Sequence, residues 1–411
     1  MKKRSLLLAG AAFATAIALT ACSGGGTDAS SGSDNSMGWS IWVSGTEDQA
    51  AWQKVADTVA TENDGLTLNI QGAPFTDYWT KLRTQLSTGS APCIVTLQSL
   101  RAANYTDVIL PLDDLVKSND VDLSEFDQTA LDGMTVDGKL YALPYDTGPV
   151  LMFYNKDMFD AAGVTEPAAG WTTDEFEAAG AALKAQGKTL FAPTVEDMYL
   201  QSLVLGYNGG RVISEDGSLD ATNAKFADGL DWINSLVEQG YATQASAEST
   251  ADEGAFANGQ VATYIDGPWS LLNQKGVVPF NLGVVTIPRG DSPASGFAAG
   301  SGFGISKECA DPDKAFAAIQ TMTSEPVLES LAAAGRAFPS RTAAQASWFE
   351  AADIPGVDEV MATAQEGSVP LPGNKDSDQL NNLFAQYAIQ AINGQSSGAD
   401  VLQEISSQLP K

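Results

Sequence analysis

Three short apolar runs, WSIWV at residues 39–43, LTLNI at 66–70 and IVTL at 94–97, open the folded part of the chain. Residues 49–60 and 78–86, which separate these runs, carry apolar side chains at the spacing of an amphipathic helix. The predicted order is therefore strand, helix, strand, helix, strand. Connections of this length suit a parallel sheet covered by helices, which predicts an α/β fold.

Helix and strand signals continue to alternate downstream. Thr172 begins a capping box, and Thr222 is placed to cap the helix that follows it. Asp311 and Pro312 are typical of the cap and first turn of another helix, while residues 261–265 alternate like a strand. A chain of 411 residues suits two domains of ordinary size.

Charge and composition narrow the possible functions. The chain has 51 Asp and Glu residues against 22 Lys and Arg, which gives a formal net charge of −29. An acidic surface repels nucleic acid and anionic lipid headgroups, so we expect no nucleic-acid partner; it also keeps an exported protein soluble. Histidine is absent, which excludes catalysis that depends on an imidazole.

The first residues predict an export signal. A basic start is followed by an apolar stretch over residues 6–19, shorter than the roughly 20 residues that a membrane-spanning helix needs. Residues 19–22, LTAC, resemble the bacterial lipobox, whose cysteine is lipidated. We predict a signal peptide over residues 1–21, lipidation of Cys22, and a flexible tether over residues 22–37, rich in Gly, Ser, Asp and Asn. The alternative is an ordinary cleaved signal with a chance cysteine.

Several further segments follow, in order, the sequence pattern of one family. They are YWTKL and STGSAP at residues 78–82 and 87–92, GKLYALPYD at 138–146, FYNK and GWT at 153–156 and 170–172, FANGQVA and GPW at 256–262 and 267–269, and GFGISK at 302–307. Each segment alone is a weak signal, but their common order makes the match specific. Along essentially its whole mature length, the chain resembles the extracellular solute-binding proteins of bacterial sugar ABC importers, the maltose-binding-protein-like family.

The resemblance implies an α/β, two-lobed periplasmic-binding-protein-like fold, with a hinge and an interlobe ligand cleft that closes on the ligand. Carried over to this sequence, the implied segments are residues 38–146 plus 300–341 for the N-terminal lobe, residues 150–299 plus 342–411 for the C-terminal lobe, and residues 147–149 and 296–300 for the hinge. The resemblance also implies a monomer, lipid-anchored outside the cytoplasm, that captures a sugar or short oligosaccharide and delivers it to the permease of an ABC importer. Neither enzymatic activity nor a cofactor is expected.

The expected chemistry of the cleft follows from the chemistry of sugars. Aromatic rings stack on the apolar C–H faces, while carboxylates, amides and Arg bind the hydroxyl rim, so neither a metal nor a nucleophile is needed. By family position, the candidate ligand-binding residues are Trp42, Ser44, Glu47, Tyr78, Gln98, Tyr145, Asp146, Glu196, Tyr199, Asn208, Trp269, Ser301 and Arg336.

Several of these candidates have a structural alternative. Trp42 and Tyr78 lie on apolar stripes and are equally suited to the core. Asp146 is also placed to brace the hinge, and Glu196 to interact with a helix N-terminus. Residues 300–304, GSGFG, superficially suggest a phosphate loop, but no Lys-Ser/Thr pair follows them and they lie in a late predicted strand, so a tight loop is the better interpretation.

Two other functions remain open at this stage. A secreted glycoside hydrolase of the retaining type needs two carboxylates about 5 Å apart, and the sequence singles out no such pair. A binding protein for another solute would keep the fold. An anionic solute favours more Arg and Lys than this chain has, and the adjacent tyrosines and histidine expected for iron are missing.

Cys93 and Cys309 are the two cysteines that follow Cys22, and an exported protein is free to oxidise them. In the family's fold, the strand that Cys93 opens runs antiparallel beside the strand that Cys309 follows. The resemblance therefore implies a Cys93–Cys309 disulfide. The alternative is a pair of buried free thiols.

Overall fold

The computed structural model describes residues 35–248 and 250–410. The strands, in chain order, are β1 (Ser36–Trp42), β2 (Thr67–Ala73), β3 (Ile94–Gln98), β4 (Thr135–Val136), β5 (Lys139–Leu140), β6 (Leu143–Pro149), β7 (Leu151–Asn155), β8 (Thr189–Phe191), β9 (Val261–Asp266), β10 (Leu282–Thr286), β11 (Gly296–Ile305) and β12 (Ser368–Pro370). The helices are α1 (Thr46–Glu62), α2 (Phe75–Ser87), α3 (Ser99–Ala102), α4 (Asp113–Ser118), α5 (Gln128–Gly133), α6 (Lys156–Ala162), α7 (Thr173–Ala185), α8 (Asp197–Asn208), α9 (Ala224–Glu238), α10 (Ala251–Ala257), α11 (Leu271–Val277), α12 (Pro312–Met322), α13 (Glu325–Ala333), α14 (Gln345–Ala352), α15 (Val357–Gly367), α16 (Ser377–Ile392) and α17 (Gly398–Gln408). The predicted signal peptide, Cys22 and most of the predicted tether lie outside the described residues. Within the described part of the chain, no helix is both long and apolar enough to cross a membrane.

The first sheet confirms the predicted βαβαβ opening. Strand β1 is parallel to β2 on one side and to β3 on the other, and β3 continues to the antiparallel β11. Strand β1 begins at Ser36, two residues before the predicted start of the lobe, because Ser36 pairs with Thr67. The core of this lobe is dense in aromatic side chains, with the rings of Trp39 and Trp52 in edge contact at 5.6 Å.

The second sheet has the order β10-β7-β9-β8. Strand β7 is antiparallel to both of its neighbours, whereas β8 is parallel to β9. Successive side chains of a strand point to opposite faces, so Met152 and Tyr154 enter one hydrophobic core while Leu151 and Phe153 enter another. Helices cover both faces, which explains why every residue of β7, β9 and β10 is buried.

Strands β6 and β11 belong to the first sheet and pair antiparallel, and β6 leads directly into β7 of the second sheet. The GSGFG stretch belongs to β11, so its interpretation as a tight loop is wrong. Glycines occur in this strand because β6 packs closely against it: a Cβ added at Gly302 would lie 2.8 Å from the Leu143 carbonyl oxygen. At the end of β6, a Cβ at Gly148 would lie 2.4 Å from Pro268 Cγ, so only glycine permits this approach. The residue limits given above for each lobe and for the hinge stay predictions.

Local capping follows the sequence in two of three cases. Thr172 and Glu175 form the predicted capping box of α7, and the Asp311 side chain accepts a hydrogen bond from Lys314 N at the start of α12. The prediction for Thr222 is wrong. Helix α9 begins at Ala224, so Asn223 is the capping residue, and its side chain accepts a hydrogen bond from Phe226 N at 3.1 Å.

The Cys93–Cys309 disulfide is confirmed, with a Cα–Cα distance of 4.5 Å. Strands β3 and β11 are antiparallel, with Ile94 opposite Ile305, so the start of one strand meets the end of the other. The bridge therefore links the segment after β11, which comes late in the sequence, to the segment before β3 in the first sheet.

Candidate ligand-binding site

The carboxyl ends of β1 and β3 form the first part of the candidate site. In open α/β sheets, ligands bind beyond the carboxyl ends of parallel strands, where successive connections leave toward opposite sides. Strand β1 is such a point, because β2 lies on one side of it and β3 on the other. Trp42 ends β1 and Gln98 ends β3, so both predicted residues stand at this edge.

An aromatic cluster surrounds Trp42. Its ring contacts those of Phe75, Tyr78 and Trp79, with centroids 5.3 to 5.5 Å apart. Phe75 is 39% exposed and is one of the few large apolar side chains of the described residues that face solvent. The cluster therefore offers an apolar ring surface at the strand ends.

Tyr78, in contrast, belongs to the core of the first lobe. It is completely buried, and its hydroxyl donates to the Thr96 carbonyl oxygen at 2.7 Å and accepts from Thr96 N at 3.1 Å. Burial raises the pKa of this hydroxyl well above its usual range. These contacts favour the core alternative for Tyr78.

Arg101 lies directly against the aromatic cluster. Its guanidinium is 4.7 Å from the ring centroid of Trp79 and 5.5 Å from that of Phe75, and it donates to the Gln98 side chain. Arg101 Nε is also 3.1 Å from Asp378 Oδ1. Cation–π contacts and a carboxylate partner of this kind suit a guanidinium.

Ser44 and Arg336, both predicted, meet through Asp48. Ser44 donates its backbone N–H and its hydroxyl to Asp48 Oδ2, at 2.7 and 3.0 Å. Arg336 forms an ion pair with the other carboxylate oxygen, and its guanidinium lies 5.4 Å from the ring of Trp52. The late segment that carries Arg336 is thereby held against α1.

Asp146 and Ser301 pair across β6 and β11. Ser301 N donates to Asp146 Oδ1, and Ser301 lies opposite Gln98 on its other side. Burial raises the pKa of the Asp146 carboxyl to about 7, although the bonds from Ser301 and the charge of Arg336 lower it. Tyr145 is buried and stacks on Phe303 at 4.8 Å. The geometry supports a bracing role for Asp146 at the predicted hinge.

The second part of the site is built around Asp266, the last residue of β9. Its Oδ1 accepts hydrogen bonds from Trp269 Nε1 and the Tyr199 hydroxyl, both at 2.9 Å, and from Gly267 N at 2.8 Å. Its Oδ2 accepts from the Tyr264 hydroxyl at 3.0 Å. Burial raises the pKa of Asp266, while these bonds lower it. Trp269 and Tyr199 remain half-buried, so Asp266 orients two aromatic side chains that are still accessible.

The remaining predicted residues lie at helix ends. Glu47 is exposed in the first turn of α1, and Glu196 is exposed at the start of α8. Asn208 ends α8, where its side chain donates to the Lys225 carbonyl oxygen at 2.7 Å and accepts from Gly210 N at 2.9 Å. Both polar atoms of Asn208 are therefore used to fix the backbone.

Contacts beside β6 bring the two parts of the site toward each other. Pro268, next to Trp269, lies against Gly148, and a Cβ added at Gly335 would lie 2.5 Å from the Leu272 Cβ. The segment around Gly335 also carries Arg336. Arg336 and Trp269 thus belong to adjacent segments that meet at the crossing between the lobes.

Residues 54–356 match the sequence pattern of the bacterial extracellular solute-binding proteins. The chain belongs to this family. The match covers most of the described residues and includes both parts of the site, apart from Trp42, Ser44, Glu47, Asp48 and Asp378.

Relatives of this solute-binding protein are themselves named as binding proteins. A Brucella abortus (strain 2308) protein, named as a binding protein, is 28% identical over 257 residues, which are 60% of this chain and 61% of that protein. This chain thus spans about three fifths of the length of that relative. The diacetylchitobiose-binding protein DasA of Streptomyces coelicolor is 25% identical over 365 residues, 84% of each chain.

A solved structure confirms the two-lobed fold of this solute-binding protein. The ABC substrate-binding protein Lmo0181 of Listeria monocytogenes, solved with cycloalternan, has a TM-score of 0.81 at 23% identity. The similarity covers 90% of this chain and 97% of that one.

Four polar residues of this site in the solute-binding protein were missed from the sequence: Asp48, Arg101, Asp266 and Asp378. Asp266 stands immediately before the GPW segment, and Arg101 follows Gln98 by three residues in a chain with few cations. The positions of Asp266 and Arg101 in the sequence could therefore have identified them as candidates. Nothing local signals the ion pairs of Asp48 and Asp378, because their arginine partners are distant in the sequence.

Proposed function

We propose that this protein captures a sugar or short oligosaccharide outside the cytoplasm and delivers it to the permease of an ABC importer. The observation that carries the proposal is Asp266, which orients the accessible rings of Trp269 and Tyr199 by hydrogen bonds at 2.9 Å. Rings held in one orientation can stack on the apolar face of a sugar without losing freedom on binding. The relatives support this class of ligand, since DasA is named for diacetylchitobiose and Lmo0181 was solved with cycloalternan.

The first lobe supplies the complementary chemistry. Phe75 offers exposed ring surface beside the buried ring of Trp42, while Ser44, Gln98 and Arg336 offer groups for hydroxyl oxygens and hydrogens. A ligand that touches both lobes favours their closed arrangement, because it interacts more strongly with two surfaces than with one. The predicted lobe limits and ligand residues form part of this proposal.

Attachment to the membrane completes the proposed function. A signal peptide over residues 1–21 would direct export, and a lipid on Cys22 would keep the monomer close to its permease. The family is extracellular by its description, which supports a location outside the cytoplasm.

A thermal-shift screen tests the ligand class. The purified protein is heated with a panel of neutral monosaccharides, maltodextrins, β-galactosides and chitooligosaccharides. A ligand at 100 times its dissociation constant stabilises the fold by about 2.7 kcal/mol, so a true ligand raises the Tm clearly. If no neutral sugar raises the Tm, the proposal fails. Release of a smaller product from a bound oligosaccharide would instead favour the glycoside hydrolase alternative.

A further inference from the structure

One carboxylate of α16 pairs with two arginines of the first lobe. Asp378 Oδ2 lies 2.5 Å from Arg83 Nη2, and Asp378 Oδ1 lies 3.1 Å from Arg101 Nε. The Asp378 side chain is 16% exposed and that of Arg101 only 9%. Arg83 is more open, with 57% of its side chain exposed.

The Arg83–Asp378 pair joins elements that pack on different cores, whereas Leu100 of α3 belongs to the same core as α16. Arg83 lies in α2 and Arg101 in α3, which follow β2 and β3 of the first sheet. Helix α16 instead packs in the second core, where the Phe384 ring lies 5.3 Å from that of Phe226. The preceding loop also connects both sides, since Asn374 donates to the Gly217 carbonyl oxygen and a Cβ at Gly373 would lie 3.2 Å from Ala103 Cβ.

The arginine pair is positioned to receive an anion beside the candidate site. Arg101 lies against Trp79 and Phe75 and donates to Gln98, so its guanidinium stands at the carboxyl ends of the parallel strands. Guanidinium groups bind carboxylates and phosphates strongly through charge-assisted hydrogen bonds. Asp378, in the first turn of α16, supplies this anion from within the protein, at a helix terminus that favours negative charge.

We propose that Asp378 determines specificity as an internal counter-ion: it occupies the anion-binding position of Arg83 and Arg101, so the site accepts neutral sugars and rejects sugars that carry a carboxylate or phosphate. The inference rests on the proposed function for its ligand class. An incoming anion meets a guanidinium pair that is already neutralised, and it must displace a carboxylate that is tethered at the same position. A neutral sugar needs no such displacement.

The test removes the internal anion. Asp378→Ala deletes the carboxylate and leaves space for another, and Asp358→Ala is the matched control, since Asp358 is an exposed aspartate in the first turn of α15. Inorganic phosphate, D-glucuronate and D-glucose are titrated into each variant at low ionic strength, with binding followed by calorimetry. A second variant, Arg83→Gln/Asp378→Ala, also removes one of the two arginines that lose their counter-ion in Asp378→Ala. Circular dichroism and thermal unfolding establish that each variant is folded.

We expect Asp378→Ala to bind phosphate and D-glucuronate at least about ten-fold more tightly than the parent, with the gain falling as salt is added. The gain should shrink in the double variant and be absent in Asp358→Ala. Equal affinity for both anions in the parent and in Asp378→Ala overturns the inference, as does an equal gain for D-glucose. If Asp378→Ala does not fold, the isosteric Asp378→Asn is titrated in its place, with the same two outcomes. Failure of the neutral-sugar screen on the parent protein would overturn the proposed function. The comparison of anion affinities between the parent and Asp378→Ala would still be interpretable.

Discussion

At the scale of single residues, Trp269 combines a fixed orientation with partial exposure. Its indole N–H is held by Asp266 at 2.9 Å, and the side chain packs half-buried against the second core. A residue that served only the core would be buried on all sides. The hydrogen bond fixes the orientation of the ring, as the proposed stacking on a sugar face requires.

We expect Trp269→Ala to weaken binding of the sugar found in the thermal-shift screen by about 1 to 3 kcal/mol, because a buried aromatic face is lost. Trp269→Phe keeps a ring but loses the hydrogen bond to Asp266, so its affinity should lie between that of the parent and that of Trp269→Ala. Calorimetry measures both, and circular dichroism shows whether the fold is kept. An unchanged affinity in Trp269→Ala would place this residue outside the site.

Asp146 gives a prediction on pH. Burial raises the pKa of its carboxyl in the folded protein from 3.8 to about 7, so between these values the folded state binds more protons than the unfolded state. The stability contributed by protonated Asp146 is therefore complete below about pH 4 and is lost as the pH rises through about 7. Asp146→Asn removes this dependence. Between pH 4 and 7, the difference in unfolding free energy between the parent and Asp146→Asn should change by up to about 1.4 kcal/mol per pH unit.

Urea unfolding of both proteins at several pH values measures that difference. Asp228→Asn, which removes the charge of an exposed aspartate in α9, serves as the control for the general effect of one removed charge. A constant difference between parent and Asp146→Asn across the range would show that Asp146 is ionised throughout.

At the scale of secondary-structure elements, the sequence predicted most of what is governed by local spacing. The first five elements, the α7 capping box and the start of α12 all follow from residues close together in the chain. The exceptions have a different origin. Residues 300–304 contain three glycines and look like a loop, yet they form a strand because the carbonyl groups of β6 leave no room for side chains.

The polar residues of the site also divide into those that sequence position indicates and those that depend on distant partners. Ser44 and Gln98 are candidates by family position, after the first and third strands, whereas Asp48–Arg336 and Asp378–Arg101 join residues hundreds of positions apart. Such pairs depend on how whole elements pack, and periodicity carries no information about them. The disulfide is an exception, because the resemblance to a family supplied the antiparallel neighbours.

The Cys93–Cys309 bridge ties β11 to β3 across a sequence separation of 216 residues. In the chain-entropy account, a loop of this length adds on the order of 5 kcal/mol, less any strain. We expect the double variant Cys93→Ser/Cys309→Ser to lose about 2 to 5 kcal/mol in urea unfolding. Dithiothreitol should destabilise the parent to a similar extent and leave the double variant unaffected. Two reactive thiols in the denatured, non-reduced protein, beyond any at Cys22, would rule the bridge out.

At the scale of the whole molecule, the proposed attachment to the membrane depends on one residue. Cys22 is the lipidated position predicted by the LTAC segment, and the described residues contain no helix suited to crossing a membrane. Cys22→Ala should therefore move the exported protein from the membrane fraction to the soluble fraction, as followed by immunoblotting. Cys22→Ala that still fractionates with membranes would refute the lipobox interpretation.

Closure of the lobes gives the last prediction, because β6 and β11 connect the two sheets and Gly148 lies at their crossing. A Cβ at Gly148 would lie 2.4 Å from Pro268 Cγ, and Pro268 directly precedes Trp269. Gly148→Ala should push the Gly-Pro-Trp segment away from β6 and make the described arrangement less favourable, so that ligand affinity falls by about ten-fold or more. Gly276→Ala is the matched control, since a Cβ there meets nothing within 4 Å.

Calorimetry gives the affinities, and small-angle X-ray scattering compares the radius of gyration with and without ligand. The ligand should compact the parent and Gly276→Ala but compact Gly148→Ala less at the same total concentration. Equal affinity and equal compaction in all three proteins would show that this contact takes no part in closure.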